Sequence, residues 1–242
     1  MVGDSAHTMP PFKGGGANTA IASAHNLAWK LAAVLGGAAG PDLLDTYQTE
    51  RHPVGVFAAH QSLADPASSV IQSAEDRPTL KAGEERPFFY MIAGYKYRSR
   101  AVVTDEFAPF SGEVQLVDGE ELHGEPGTRL PHAWVLYGGE RLSTLDLHSG
   151  GFRLFVGAGG APWVTAASSV SASLGVQIDV CRIGPAGPIQ DLDGQWAKLS
   201  GLSPEAALLV RPDDFVGWRT DSLPKSPIDE LRKAVSQILA RE

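Results

Sequence analysis

The chain has 242 residues, of which 43% are hydrophobic and 20% are charged, a composition that predicts a globular protein with one large or two small cores. Its net charge of −8 argues against nucleic acid or an anionic membrane as the main partner. The single cysteine, Cys181, excludes an internal disulfide and a CxxC site, and its apolar neighbours indicate a buried strand. No apolar run is long enough to span a membrane and no signal-peptide core is present, so we expect a cytoplasmic protein.

The first stretch of the chain carries the strongest functional signal. Three consecutive glycines, residues 14–16, are followed by Ala17 and Asn18. The backbone of such a run can approach a ligand closely because no Cβ shields its amides. The run opens a helix, whose first N–H groups favour electron-rich ligand atoms, and Asp4 upstream can accept hydrogen bonds from the hydroxyls of a sugar-like chain. From these residues alone, a ligand-binding loop and a plain structural turn both stay open.

The helix itself is predicted by the spacing of apolar residues. One face carries Ile21, Ala24, Leu27, Ala28, Leu31 and Leu35. We expect this face to be buried and Asn18 or Thr19 to cap the helix. The pair Gly36-Gly37, followed by Pro41, is expected to end it.

The run Gly-Asp-Ser-Ala-His, Pro-Pro, Gly-Gly-Gly-Ala-Asn resembles the second flavin motif of FAD-dependent aromatic hydroxylases, which act on phenols and aromatic polyketides. The resemblance implies that an acidic residue binds the ribityl chain of FAD, that a Pro-Pro pair lies beside the isoalloxazine ring and that loop amides face its pyrimidine edge. The implied cofactor-binding residues are Asp4, Pro11, Gly14, Gly15, Gly16, Ala17 and Asn18. The chain departs from the family at Ser23, where Asp is common, and at Phe12-Lys13, where a small residue and Gly are common.

A second helical region follows. Asp42 is expected to cap a segment that runs to Pro53, where the proline breaks or kinks the helix, and a further helix is predicted from Val54 to Leu63 or as far as Ile71. The sequence Leu-Leu-Asp-Thr-Tyr-Gln-Thr-Glu-Arg-His-Pro-Val resembles the same hydroxylases. Residues 73–87 are rich in charge, Pro and Gly and predict a loop.

Residues 95–103 are predicted to be extended. The locally basic part, residues 96–100, reads as a strand with a solvated face, and contact with a cofactor phosphate is the alternative. Residues 107–127 combine Pro and Gly with acidic residues and contain the expected domain boundary, which divides the chain into residues 1–108, a linker at 109–127 and a second domain at 128–242.

The second domain is predicted to be an α/β unit. Strands are expected at 134–137, 152–156 and 176–182, with a helix at 163–174 between the last two. Residues 207–219 predict a hairpin around a Pro-Asp-Asp turn, and the last helix carries Ile228, Leu231, Val235, Ile238 and Leu239 on one face. This order is thioredoxin-like, and the hairpin resembles the C-terminal domain of the polyketide-hydroxylase branch. Residues 157–160 predict a turn.

The family's first βαβ unit, with a GxGxxG sequence for the ADP half of FAD, is not found in this chain, and neither is the substrate-covering sheet. The resemblance therefore implies the C-terminal half of a hydroxylase that uses FAD and NAD(P)H on a phenolic or polycyclic aromatic substrate. We expect such a chain to be inactive alone. It is then a piece or cleavage product of a longer protein, a split enzyme with a complementing N-terminal polypeptide, or a relict without catalysis. A homodimer is a further expectation.

Three other functions are compatible with parts of the sequence: an esterase, a metal site and a non-catalytic module. Gly-Asp-Ser is also the nucleophile sequence of one esterase family, but Ser5 lacks a downstream base because no histidine follows His148. Asp4, His7 and His25 lack the spacing of a metal site, and His7 is better explained as a hydrogen-bonded motif residue. The stronger rival is a non-catalytic thioredoxin-like binding or dimerisation module, which predicts a glycine loop collapsed against the hairpin.

Overall fold

The structure is a computed structural model that describes residues 1–64, 85–104, 112–147, 150–184 and 187–241. Its first part is mainly helical and consists of α1 (Gly15–Leu35), α2 (Asp45–Leu63), the short α3 (Phe88–Ile92) and the antiparallel strands β1 (Tyr95–Lys96) and β2 (Gln115–Leu116). Among the described helices, none has the length and apolar content that crossing a membrane requires.

The second part contains two sheets. Its elements are β3 (Trp134–Tyr137), β4 (Glu140–Ser143), β5 (Phe152–Val156), α4 (Ala161–Leu174), β6 (Ile178–Arg182), β7 (Ile189–Asp191), α5 (Gln195–Ser200), β8 (Ala207–Val210), β9 (Val216–Thr220) and α6 (Pro227–Ile238). The main sheet has the order β6-β5-β8-β9, in which β5 and β6 are parallel and the other pairs are antiparallel. A smaller antiparallel sheet has the order β4-β3-β7.

This topology confirms the predicted α/β class and the thioredoxin-like order of strand, helix, strand, hairpin and helix. The helices α4 and α6 pack on one face of the main sheet, and the fully buried Trp163 and Val235 lie in the core between them. Residues 157–160 form the predicted turn, and Cys181 lies in β6, where burial raises its pKa to about 12.

The predicted helix α1 is confirmed, but the predicted buried face is wrong. Ile21 is 69% exposed, Leu31 38% and Leu35 83%, and Ala24 and Ala28 are exposed as well. The buried residues of α1 include Gly15, Thr19, Ser23, Asn26, Trp29 and Lys30. Polar side chains therefore face the interior, because the residues that pack against this side of the helix are themselves polar and charged.

The helix ends also differ from the prediction. Gly14 is the N-cap of α1, with φ of 61°, and Asn18 and Thr19 lie inside the helix. In α2, Pro53 lies within one continuous helix, so the predicted break is absent. The short 3₁₀ turn before α2, Pro41–Leu43, has Gly40 as its N-cap. Asp42, the predicted cap, lies inside this turn, and its carboxylate forms an ion pair with Arg100 at 3.7 Å.

The strands after α3 are shorter than predicted, since β1 contains only two residues. The basic side chains of this segment have protein partners: Lys96 lies 3.0 Å from Glu125, and Arg98 donates to Gln115. These contacts favour the strand interpretation over contact with a phosphate. Strand β2 lies inside the predicted linker at 109–127, and the proposed domain limits stay a prediction. Residues 65–84, which include part of the predicted loop and the end of the further helix, lie outside the described residues.

A buried network of charges joins the two parts of the chain. Glu50 of α2 accepts hydrogen bonds from Arg211, which follows β8, at 2.6 and 2.8 Å, and from Lys30 of α1 at 2.8 Å. Arg211 also donates to Asp213 at 2.6 Å, and Asn26 donates to both carboxylates at 2.7 Å. Two cations and two anions are thus paired away from water, which is the condition for burying charge at all.

The pKa values in this network follow from burial and pairing. Burial alone would raise the pKa of Glu50, but the charges of Arg211 and Lys30 hold it well below its ordinary value. Burial lowers the pKa of Lys30 to about 8, against the opposing effect of Glu50. At neutral pH, Glu50 is therefore ionised and Lys30 is mostly charged.

We expect Glu50→Gln to destabilise the chain by about 3–5 kcal/mol, because it removes the carboxylate that pairs with buried Lys30 and leaves Asp213 as the charged partner of buried Arg211. The matched control is Glu125→Gln, which removes a carboxylate that is paired with Lys96 on the surface and should cost less than about 1 kcal/mol. Urea unfolding at low temperature measures both. Equal costs for the two variants would contradict the assigned role of the network.

We also expect a specific loss of stability in acid. The pKa of Glu50 is about 4.5 in the unfolded chain and lower in the folded chain. Below pH 4.5 the unfolded chain therefore protonates Glu50 while the folded chain does not, and the free energy of unfolding falls. The difference in unfolding free energy between the wild type and Glu50→Gln should therefore narrow as the pH falls from 5 towards 3. Curves that stay parallel over this range would refute the assignment.

Candidate functional site

The predicted cofactor-binding residues other than Asp4 lie at or just before the beginning of α1. Most of the glycine loop is helical: Phe12–Gly14 is a 3₁₀ turn, and Gly15 to Asn18 form the first turn of α1. No side chain makes a capping hydrogen bond at Gly14, and the Asn18 side-chain amide instead donates to the Gly14 carbonyl at 2.9 Å. Within the described residues, this 21-residue helix therefore begins without a side-chain cap, and the positive end of its dipole faces any ligand placed there.

The three glycines have different roles. Gly14 adopts a left-handed conformation that an L side chain rarely tolerates. At Gly15, a Cβ would lie 2.6 Å from Cε of Met91 and 2.9 Å from Oγ of Ser62, so this glycine lets α1 pack closely against α3 and α2. At Gly16, a Cβ would have only an ordinary contact, 3.6 Å from Met9. Gly15 is therefore a packing residue, whereas Gly16 and Ala17 lie nearer the open side of the turn.

Asp4 lies in a 3₁₀ turn, Gly3–Ser5, which packs against α1. The Asp4 side chain is exposed, and its carboxylate has no hydrogen bond or ion pair within the described parts of the chain. The turn is held by its own contacts, since Thr8 donates to the Asp4 carbonyl at 3.1 Å. Ser5 donates to the carbonyl of Val2 at 2.8 Å, so its hydroxyl is committed to the turn. An exposed carboxylate on a turn that packs against α1 fits a ligand that carries hydroxyls.

A chain of hydrogen bonds fixes this turn to the helices. His7 lies 3.3 Å from Oγ of Ser23, which confirms the prediction that His7 is a hydrogen-bonded motif residue. Ser23 accepts from Nε of Arg51 at 3.0 Å, and Arg51 also donates to the Thr19 carbonyl in the second turn of α1 at 3.2 Å. A Cβ at Gly55 would lie 3.2 Å from the His7 ring, so α2 has little room for a larger residue there. Ser23, where the family often carries Asp, is thus the link between the motif and Arg51.

Arg51 in turn is held by two tyrosines. Its Nη1 donates to the hydroxyls of Tyr95 and Tyr97, both at 2.9 Å, and Tyr97 stacks on Phe215 with ring centroids 4.0 Å apart. Burial raises the pKa of Tyr97 well above its ordinary value, so this phenol stays neutral and acts as an acceptor. Sequence reasoning named neither Arg51 nor the tyrosines as site residues. A signal was present for Arg51, which lies in a segment that resembles the hydroxylases.

The residues beside Pro11 line an open groove. Lys13 has φ of 56° and forms an ion pair with Glu85 at 2.5 Å. Together with Arg86, Pro87 and Phe88, these two residues border a groove of about 560 Å³. Within the described residues, the atoms nearest to a Cβ at Gly15 or Gly16 belong to α2, α3 and Met9 and not to the β8–β9 hairpin, which favours the flavin interpretation over the collapsed loop of a non-catalytic module.

Two families match this chain. Residues 1–62 match the family described as FAD binding domain, and residues 123–241 match the family described as Aromatic-ring hydroxylase, C-terminal. The first match contains the motif, α1 and nearly all of α2, and the second contains the thioredoxin-like part.

Individual relatives agree with these matches. The tetracenomycin A2 monooxygenase-dioxygenase of Streptomyces glaucescens is 41% identical over 100% of this chain and 41% of its own length. The 2,4-dichlorophenol 6-monooxygenase of Delftia acidovorans is 38% identical over 99% of this chain and 47% of its own length. The crystal structure of a ternary complex of aklavinone-11 hydroxylase with FAD and aklavinone matches with a TM-score of 0.85 at 38% identity, over 99% of this chain and 43% of that one. The chain spans less than half the length of these proteins.

The fold and the site together define a class: the helical part of a flavin-binding domain followed by a thioredoxin-like domain without a redox cysteine pair. Within that class, the chain is similar to the C-terminal part of FAD-dependent aromatic hydroxylases: it matches their FAD binding domain and their C-terminal domain, and its relatives are polyketide and phenol monooxygenases. The assignment of individual cofactor-binding residues stays a prediction.

A pair of alanine substitutions tests the geometry of the turn. Gly14→Ala should destabilise the chain by about 1–2 kcal/mol, because the left-handed conformation is unfavourable for alanine. Gly16→Ala should be neutral or stabilise it by up to about 1 kcal/mol, because this position is helical and has space for a methyl group. Thermal unfolding compares the two. A destabilised Gly16→Ala together with a neutral Gly14→Ala would contradict the assigned helix start.

Proposed function

We propose that this chain supplies the flavin-contacting C-terminal part of a cytoplasmic, NAD(P)H-using FAD-dependent hydroxylase that acts on a phenolic or polycyclic aromatic substrate. The observation that carries the proposal is the N-terminus of α1, which has no side-chain cap among the described residues, on a helix against which the turn with the exposed carboxylate of Asp4 packs. The relatives support the substrate class, because their names describe monooxygenases of tetracenomycin A2 and of 2,4-dichlorophenol.

The residues fit the flavin in complementary ways. The Asp4 carboxylate would accept hydrogen bonds from the ribityl hydroxyls, and the first turn of α1, from Gly15 to Asn18, would direct its positive end to the pyrimidine edge. Pro11, which precedes the turn, would lie beside the ring system. When bound, FAD supplies the redox chemistry that links NAD(P)H and oxygen to the aromatic substrate. The chain's own task is to bind and orient the ring.

Arg51 is a positioning residue in this proposal. It contacts the second turn of α1 through the Thr19 carbonyl, and the motif turn through Ser23 and His7. It therefore fixes the distance between Asp4 and the helix end, which are the two groups that would hold different parts of one cofactor. The ADP half of FAD and the substrate would be held by the N-terminal part of the enzyme, which the relatives contain and this chain does not span.

Flavin titration tests the proposed flavin-binding residues of this chain. We expect FAD fluorescence to be quenched saturably by the purified chain, and Asp4→Ala to weaken the affinity by about tenfold or more through the loss of charge-assisted hydrogen bonds. The matched control is Asp193→Ala, which removes an exposed carboxylate from the thioredoxin-like part and should leave the affinity unchanged.

Two results would count against the proposal. Equal effects of Asp4→Ala and Asp193→Ala would remove Asp4 from the flavin site. Absence of quenching at high micromolar FAD, both for the chain alone and for the chain joined by an N-terminal hydroxylase segment, would favour the non-catalytic binding or dimerisation module.

A further inference from the structure

Arg51 differs from the other buried charges of this protein. The described residues bury six charged side chains: Lys30, Glu50, Arg51, Arg153, Arg211 and Asp213. Five of the six belong to ion pairs. Arg51 is 2% exposed, yet it forms no ion pair with a carboxylate in the part of the chain that the structure describes. Its loss of hydration is therefore offset by hydrogen bonds to neutral groups alone.

The groups that surround the Arg51 guanidinium carry no charge. Its Nε donates to Oγ of Ser23 at 3.0 Å, and its Nη2 donates to the Thr19 carbonyl at 3.2 Å. Its Nη1 donates to the hydroxyls of Tyr95 and Tyr97, both at 2.9 Å. Since burial holds the pKa of Tyr97 well above its ordinary value, this hydroxyl stays neutral. These dipoles solvate the positive charge but do not cancel it.

The neighbouring charge network does not supply the missing negative charge. Its four ionised side chains, Lys30, Glu50, Arg211 and Asp213, contain two cations and two anions that pair with each other. Their charges sum to zero at neutral pH, so Arg51 adds one surplus positive charge to the interior. Buried charges are screened less than exposed ones, and the field of this guanidinium therefore extends to neighbouring elements.

The surplus charge lies behind the turn that contains the candidate flavin-binding residues. Arg51 contacts the carbonyl of Thr19, which follows Gly15, the first residue of α1, by about one helical turn, or about 6 Å along the axis. The positive end of the α1 dipole lies at this same turn. The two fields have the same sign and add, so together they favour negative charge in a ligand at the beginning of α1.

We propose that Arg51 sets the charge preference of the proposed flavin site, so that the site binds reduced FAD, whose pyrimidine edge is anionic, more tightly than oxidised FAD. A fixed charge near the ring is one means by which a protein tunes a flavin. At a distance of about 10 Å and an effective dielectric constant of about 20, one unit charge changes the affinity for an anion by roughly tenfold. The inference rests on the proposed function, because it requires the flavin ring at this helix end.

Two substitutions of the same shape at Ser23 separate charge from packing. Ser23→Asp places a carboxylate beside Nε of Arg51 and cancels the surplus charge, whereas Ser23→Asn introduces a neutral group of equal size. Anaerobic ultrafiltration at neutral pH gives the Kd of each variant for oxidised FAD and for FAD kept reduced by dithionite. We expect the ratio of the oxidised to the reduced Kd to be about tenfold lower in Ser23→Asp than in Ser23→Asn.

A second pair of variants tests the same charge if Ser23→Asp fails to fold. Arg51→Lys keeps the positive charge, and Arg51→Gln removes it. We expect the Kd ratio of Arg51→Lys to stay near that of the wild type and the ratio of Arg51→Gln to fall by about tenfold. A purely structural role of Arg51 would weaken the binding of both forms of FAD equally and leave the ratio unchanged.

Urea unfolding without flavin gives a further readout of the surplus charge. The midpoint of Ser23→Asp should exceed that of Ser23→Asn, because only the aspartate gives the buried guanidinium a charged partner. Equal midpoints would show that the charge of Arg51 is already cancelled, and this would overturn the inference.

The outcomes also distinguish this inference from the proposed function. FAD binding with equal Kd ratios in Ser23→Asp and Ser23→Asn, or in Arg51→Lys and Arg51→Gln, overturns the inference and leaves the proposed function standing. The same holds for a wild-type chain that prefers oxidised FAD. If neither form of FAD binds to the chain or to the chain joined to an N-terminal hydroxylase segment, the proposed function and the inference both fail.

Discussion

The pairing of Glu50 with Arg211 is the interaction on which the rest of this structure depends. The two residues are separated by 161 positions, and both side chains are fully buried. Removing a carboxylate and a guanidinium from water is costly, and only close pairing with further hydrogen bonds offsets the cost. Glu50 and Arg211 therefore fix α2 against the turn of the hairpin, and Asp213, Lys30 and Asn26 complete the set of partners.

This pairing explains why α1 presents polar residues inward. Lys30 and Asn26 are needed to satisfy Glu50 and Asp213, so the side of the helix that carries them must face α2 and the hairpin. The apolar side then faces outward.

Adjacent residues of α2 connect the charge network with the candidate site. Glu50 points to the hairpin, whereas Arg51 points to Ser23 and the first turns of α1. Successive side chains on a helix diverge by about 100°, so adjacent residues of α2 can bind the hairpin on one side and α1 on the other. The thioredoxin-like domain supports the flavin motif through this connection. Its own Cys181 is buried with a pKa of about 12, which gives the domain no reactive thiol.

The sequence by itself located several of the elements and indicated the resemblance to the hydroxylases. Periodicity located α1 and α6, turn residues located the β8–β9 hairpin, and the motif from Asp4 to Asn18 indicated the flavin. Only the tertiary structure decided which face of α1 is buried, that Gly15 serves packing, and that Arg51 holds the motif in place. The reason is physical: local patterns report the spacing of residues along an element, whereas the partner of a buried charge can lie 161 residues away and outweigh the apolar side of a helix.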